Sequence, residues 1–124
     1  MNPSGTTNPG LLEATAGTLV LANSVLNNAG GNIKVSGASS SVQFVNGATI
    51  QGGTLTSAGG GVMGVAASNT ITLDGKTQGP LTIVGTYTGA NNSSTIVVGT
   101  IINTGTILIS AAANNTFLLS LIHI

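Results

Sequence analysis

The chain has 124 residues, and only Glu13, Lys34, Asp74 and Lys76 carry a formal charge, for a net charge of zero. Cysteine is absent, which excludes disulfides and thiolate metal sites. Two lysines and no arginine are too few to neutralise a phosphate backbone, so nucleic-acid partners are excluded. Hydrophobic content is 41%, enough for a core and against simple disorder. No run approaches the roughly 18 apolar residues of a membrane helix. The 19 glycines lack the every-third-residue period of collagen. Trp is absent and Phe44, Tyr87 and Phe117 are the only aromatics, so a thin core of stacked Val, Ile and Leu is expected.

The chain opens with Met1-Asn2-Pro3-Ser4-Gly5, which has neither the basic nor the apolar region of a signal peptide. Residues 1–9 are expected to be a poorly ordered lead-in, and any export signal is expected upstream. Short alternating runs follow. Leucines take every second place in Thr18-Leu19-Val20-Leu21-Ala22, and Asn32-Ile33-Lys34-Val35-Ser36 sets Ile33 and Val35 against Lys34. Ser41–Phe44, Thr70–Leu73, Leu81–Ile83, Thr95–Val98 and Thr106–Ser110 continue the pattern. Period-two alternation rich in β-branched residues predicts strands. No window has the caps and the 3.6-residue period of a helix.

Asn28-Ala29-Gly30-Gly31, Asn46-Gly47, Asp74-Gly75 and Asn103-Thr104-Gly105 each precede another strand. These residue types turn corners cheaply because they tolerate left-handed backbone. The unit from corner to corner is about 20 residues, within the range of solenoids. An all-β solenoid with two or three strands per turn is therefore expected over residues 10–118. A β-sandwich is the competing architecture. It is disfavoured because the charges that protect sandwich edges are missing, whereas each solenoid turn covers the edge of its neighbour.

Gly10–Thr15, Asn28–Ile33, Ala48–Thr56 and Gly99–Ile107 resemble the repeats of bacterial haemagglutinin-like and autotransporter-like surface proteins. That resemblance implies a right-handed parallel β-helix, here an internal section without caps. It also implies export to the cell surface or the extracellular space, in adhesins or stalks. It carries no binding residues, because the matching positions are structural. The implied partners are neighbouring repeats of the same chain and a host-cell or extracellular glycan or protein surface. The last six residues, Leu119-Ser120-Leu121-Ile122-His123-Ile124, equal the in-frame translation of CTGTCTCTTATACACATC, a transposon-end sequencing adaptor. Residues 119–124 are therefore expected to be adaptor-derived, with His123 not biological and Met1 an internal start.

Candidate chemistry is sparse. Glu13 and Asp74 are the only acids. A glycosidase pair needs carboxylates about 5 to 10 Å apart. Three rungs of about 4.8 Å would put these two about 14 Å apart along the axis. Polysaccharide lyases share the fold but use clustered acids with Arg or Lys. Glu13 is expected as a solvated edge residue, Asp74 as a residue bonded to its own turn, and Lys76 as solvated. Gly59-Gly60-Gly61 has no Asp nearby for calcium and no following Gly-Lys-Ser/Thr for phosphate. Asn27, Asn28, Asn46, Asn91, Asn92, Asn103, Asn114 and Asn115 are expected at corners, in hydrogen-bonded ladders between rungs. Thr54/Thr56, Thr70/Thr72, Thr86/Thr88 and Thr104/Thr106 could order water if aligned on one face, although outward Thr is common in any strand. No catalytic, cofactor or metal residues are expected, and ligand-binding residues stay unassigned. The expected function is a structural or adhesive rod. The alternatives are an accessory solenoid of a carbohydrate-active enzyme and an ice- or glycan-binding surface.

Overall fold

The computed structural model describes residues 6–121; residues 1–5 and 122–124, His123 among them, lie outside the described residues. Sixteen strands follow one another, three to a turn. The first turn comprises β1 (Thr6–Thr7), β2 (Leu11–Ala14) and β3 (Gly17–Ala22). The second has β4 (Val25–Asn27), β5 (Asn32–Ser36) and β6 (Ser40–Val45). The third has β7 (Thr49–Gln51), β8 (Gly53–Ala58) and β9 (Val62–Val65). The fourth has β10 (Thr70–Gly75), β11 (Leu81–Val84) and β12 (Thr86–Gly89). The fifth has β13 (Ser94–Gly99), β14 (Ile101–Asn103) and β15 (Thr106–Ile109), and β16 (Phe117–Leu121) begins a sixth.

Each strand pairs in parallel with its equivalent one turn away, so three sheets run along the molecule. Sheet A is β1-β4-β7-β10-β13-β16, sheet B is β2-β5-β8-β11-β14 and sheet C is β3-β6-β9-β12-β15. This is a parallel β-solenoid of about five turns. The expected two or three strands per turn resolve to three. Within the expected lead-in, Thr6 and Thr7 pair with Leu26 and Asn27. Within the expected adaptor segment, Leu119–Leu121 pair with Ile96–Val98.

Register places like on like. Leu26, Ile50, Leu73 and Val97 form one inward column of sheet A. Leu12, Ile33, Leu55 and Ile83 form one in sheet B. Leu21, Phe44 and Val65 form one in sheet C. Alternation along each strand sends every second residue inward, and these columns meet in a single buried core. Two of the three aromatics also enter it. Phe44 and Tyr87 are the largest fully buried side chains, with ring centroids 6.5 Å apart and planes 17° from parallel. The aliphatic core expected from composition is thus corrected: two aromatic rings stack within it.

The phenol of Tyr87 shares a 2.8 Å hydrogen bond with the hydroxyl of Thr95, itself fully buried. Burial pushes the Tyr87 phenol far above its ordinary pKa, against the smaller opposing effect of that bond. At the corner between sheets C and A, Asn23, Asn46, Ser68 and Asn92 all have positive φ, between 52° and 64°. Asn is enriched in that region because its short polar side chain bonds locally. The backbone N–H of Asn46 donates to Asn69 Oδ1 of the next turn at 2.9 Å. In the same way Asn92 N–H donates to Thr116 Oγ1 at 3.0 Å. At the other corner of sheet A, Gly53 is required by close approach, since a Cβ there would collide with the Asn28 carbonyl.

Tyr87→Phe is expected to destabilise the fold by about 1–3 kcal/mol, because it strands the buried Thr95 hydroxyl. Adding Thr95→Val should restore much of that loss. Chemical denaturation of the two single variants and the double variant checks it; strictly additive losses would show that the bond does not couple them.

Candidate functional site

The outer surface is set by the same alternation. In sheet B the outward columns are Leu11, Asn32, Thr54, Thr82, Ile102 and Glu13, Lys34, Thr56, Val84. Glu13 and Lys34 stand in register on β2 and β5, with Nζ and Oε2 3.9 Å apart. Ser36 Oγ donates to the same Glu13 oxygen at 2.6 Å. Glu13 does lie on the edge strand of its sheet, but it is tied to the next turn by both groups. Such an exposed pair contributes little, about 0 to 1 kcal/mol.

Asp74 bonds to its own turn, as expected, from the end of β10. On β10 it stands in the outward column Asn27, Gln51, Asp74, Val98, and its carboxylate caps the loop that follows. Oδ1 accepts the backbone N–H groups of Lys76 at 2.8 Å and Thr77 at 2.9 Å. Oδ2 accepts the Thr77 hydroxyl and the Gln51 amide. Burial works to raise the Asp74 pKa, but the bonds from Thr77, Lys76 and Gln51 together outweigh it and hold the group below its ordinary value. The five residues 76–80 project from the corner between β10 and β11, with Lys76, Thr77 and Gln78 exposed. The third and fifth turns cross this corner with Gly52 or Thr100 alone, and the first and second with residues 8–10 and 28–31.

Glu13 and Asp74 sit on different sheets, in the first and fourth turns, so the structure does not bring the two acids together. Among the described residues no three His, Asp or Glu side chains gather as a metal site. The threonine pairs are also separated. Thr54 and Thr56 lie on sheet B, Thr70 and Thr72 on sheet A, and Thr86, Thr88 and Thr106 on sheet C. They form no common face.

Of the corner asparagines, Asn28 is fully buried. It accepts from Asn8 Nδ2 at 2.9 Å and donates to the carbonyls of Gly52 and Thr54 at 3.3 Å. Asn91 Oδ1 accepts the N–H groups of Ala112 and Asn114, and Asn92 donates to Ser68 Oγ. The expected ladder is therefore a mixed spine of Asn, Ser, Thr and backbone groups, with a side-chain contact between asparagines at Asn8 and Asn28.

One concavity was not legible in the sequence. On the outer face of sheet C a groove of about 260 Å³ is lined by Gln43, Val62, Gly64, Ala66, Thr88 and Ala90, among others. It opens where Gly64 has no side chain; a Cβ there would collide with the Thr88 carbonyl. Its wall is mostly apolar, with the Gln43 amide and Thr88 hydroxyl on it. Only a glycine at an outward strand position, in Val62-Met63-Gly64-Val65, marks it in the sequence.

No protein-family model matches the chain, and no curated protein or solved structure is detectably similar to it. The parallel solenoid is thus established by the structure, while the haemagglutinin-like resemblance rests on the repeats alone.

Two outcomes are expected. An unfolded Asp titrates near 3.9. With its folded pKa lower, Asp74 adds stability that is complete above that value and is lost as pH falls through the folded pKa. Asp74→Asn should therefore lower stability at pH 7 and weaken its further decline below about pH 4. Denaturant midpoints across that range test this; identical acid limbs in both proteins would dismiss the role given to Asp74. The second concerns trypsin, for which only Lys34 and Lys76 are targets among the described residues. Lys34 lies within β5, hydrogen-bonded on both sides, whereas Lys76 is exposed on its loop. Cleavage should come first after Lys76, and the two fragments should co-elute because β10 still pairs with β13 and β8 with β11 across the cut. Equal cutting at Lys34 would contradict this ordering.

Proposed function

We propose that this solenoid is a structural and adhesive rod segment of a large bacterial surface or secreted protein, acting outside the cell by reach and repeated weak contacts. The supporting observation is the stacking itself: about five turns in register on three continuous sheets. At about 4.8 Å per turn the described section spans roughly 24 Å of axis. Outward residues recur at a fixed spacing from turn to turn, as in the column Leu11, Asn32, Thr54, Thr82 and Ile102, so weak contacts can be made at repeated intervals along the axis. Many weak sites on one carrier raise avidity by about 10²- to 10⁴-fold without any single tight pocket. The likeness of the repeats to haemagglutinin-like and autotransporter-like proteins supports the same reading. The counterpart is a host-cell or extracellular glycan or protein surface.

Beads carrying increasing numbers of copies provide the test. Retention on epithelial-cell and mucin-coated surfaces should rise far more steeply than copy number. Retention merely proportional to copy number, or saturable binding by single copies that Val62→Lys abolishes, would replace the rod with a discrete site at the sheet C groove.

A further inference from the structure

Asparagine followed by glycine is the pair most open to spontaneous deamidation, and the chain has one, Asn46-Gly47. Glycine has no Cβ to shield its nitrogen, so in an open chain that nitrogen reaches the preceding side chain. The chemistry needs only water. The Gly47 nitrogen gives its proton to solvent base and attacks Asn46 Cγ; a C–N bond forms, and Nδ2 leaves as ammonia. Water then opens the five-membered imide. Addition at the side-chain carbonyl gives aspartate. Addition at the main-chain carbonyl gives isoaspartate, whose backbone is one methylene longer.

The pair is exposed and nothing crowds Gly47, yet the folded corner withholds the movements that the reaction needs. Both residues have positive φ, 52° and 74°, and Ala48 N–H donates to the Val45 carbonyl at 3.2 Å across them. This is the pattern of a type I′ turn, in which ψ of the first central residue is about +30°. Ring closure requires the Gly47 nitrogen to eclipse Asn46 Cβ, and in this turn it points nearly the opposite way. Gly47 N–H also donates to the Thr70 carbonyl at 3.0 Å, and Asn46 N–H to Asn69 Oδ1 at 2.9 Å. Both amides are thus held by the corner of the next turn.

We propose that Asn46 is a latent deamidation site, gated by the separation of its corner from the one that follows. The modification leaves a permanent mark. Isoaspartate lengthens the backbone at a corner where Ala48, two residues on, is buried, so the bonds to Thr70 and Asn69 do not re-form together. Asp74-Gly75, the one Asp-Gly pair, is better protected: its carboxylate accepts bonds from Lys76 and Thr77, and Gly75 is buried within β10. The inference is independent of any adhesive role.

Full-length protein, held at mildly alkaline pH with and without denaturing urea, provides the test. Each event turns the net charge of zero negative, which isoelectric focusing resolves in so charge-poor a chain. Peptide mapping locates the event. Conversion at Asn46 should run at least about tenfold slower in native protein than in urea, because two hydrogen bonds must first break. Asn69→Ala removes one acceptor and should speed the native reaction severalfold, with the rate in urea unchanged. Asn103 Oδ1 accepts Gly105 N–H at 3.1 Å at the corner between sheets B and C, so Asn103→Ala should alter neither rate. That variant separates opening of this corner from general loosening, and circular dichroism confirms that both variants keep their strands. Asn46→Asp should be as stable as the parent, so that lost stability in aged protein reports the longer backbone and not the charge. Equal rates in native and unfolded protein, no acceleration by Asn69→Ala, equal acceleration by Asn103→Ala, or earlier conversion at another asparagine would each overturn the proposal.

Discussion

Hydrogen bonding from each turn to the next, strand over parallel strand, is the interaction on which the rest of the molecule depends. It fixes the rise per turn, and so it forces every side chain to stand on a counterpart about 4.8 Å away. The core is then a set of columns rather than a free packing problem. A column of Leu, Ile, Leu and Val fills evenly. Large residues enter where their rings can stack, as Phe44 and Tyr87 do. The same stacking takes polar residues into the interior where a partner lies on the next strand or the next turn, as Thr95 does for Tyr87 and the Gly52 carbonyl for Asn28.

The scarcity of charge follows from this arrangement. A globular sheet protein guards its strand edges with lysine and glutamate. Here the edges inside the solenoid are already occupied, and three of the four charged side chains are tied to neighbours. Glu13 and Lys34 join two turns, and Asp74 caps a loop. Corner residues take over the task of linking turns. Asn46 and Asn92 combine a left-handed backbone with a backbone N–H that reaches a side chain of the next turn. Such bonds are neutral and need no counter-ion, so they hold in salt as well as in its absence.

The solenoid was legible where a strand alternates for long enough. Asn32–Ser36 was read with the bounds it has in the structure, because Ile33 and Val35 flank a lysine. Val25–Asn27 and Val62–Val65 were not read as strands: one is three residues long, and the other carries a glycine. The corners were recognised by residue type but not by place. Asn28–Gly31 joins sheets A and B, Asn46–Gly47 joins C and A, and Asn103–Gly105 joins B and C. Treating them as equivalent gave a period near the short end of the real spacing, since Leu26, Ile50, Leu73 and Val97 stand 23 or 24 residues apart. Pairwise features were hidden for the same reason. The Glu13–Lys34 contact and the groove at Gly64 exist only once turn-to-turn register is known, and local pattern does not carry register.

The corner between sheets A and B is crossed by Gly52 alone in one turn and by residues 76–80 in the next. The strands on either side keep their columns through that change. A loop costs only roughly 0.6 kcal/mol of closure entropy per doubling of its length. Contour length and axial length are therefore uncoupled in this molecule: sequence inserted here adds a side branch and no height. The solenoid works as a ruler whose graduations stay fixed while its margin remains open to grafted peptide.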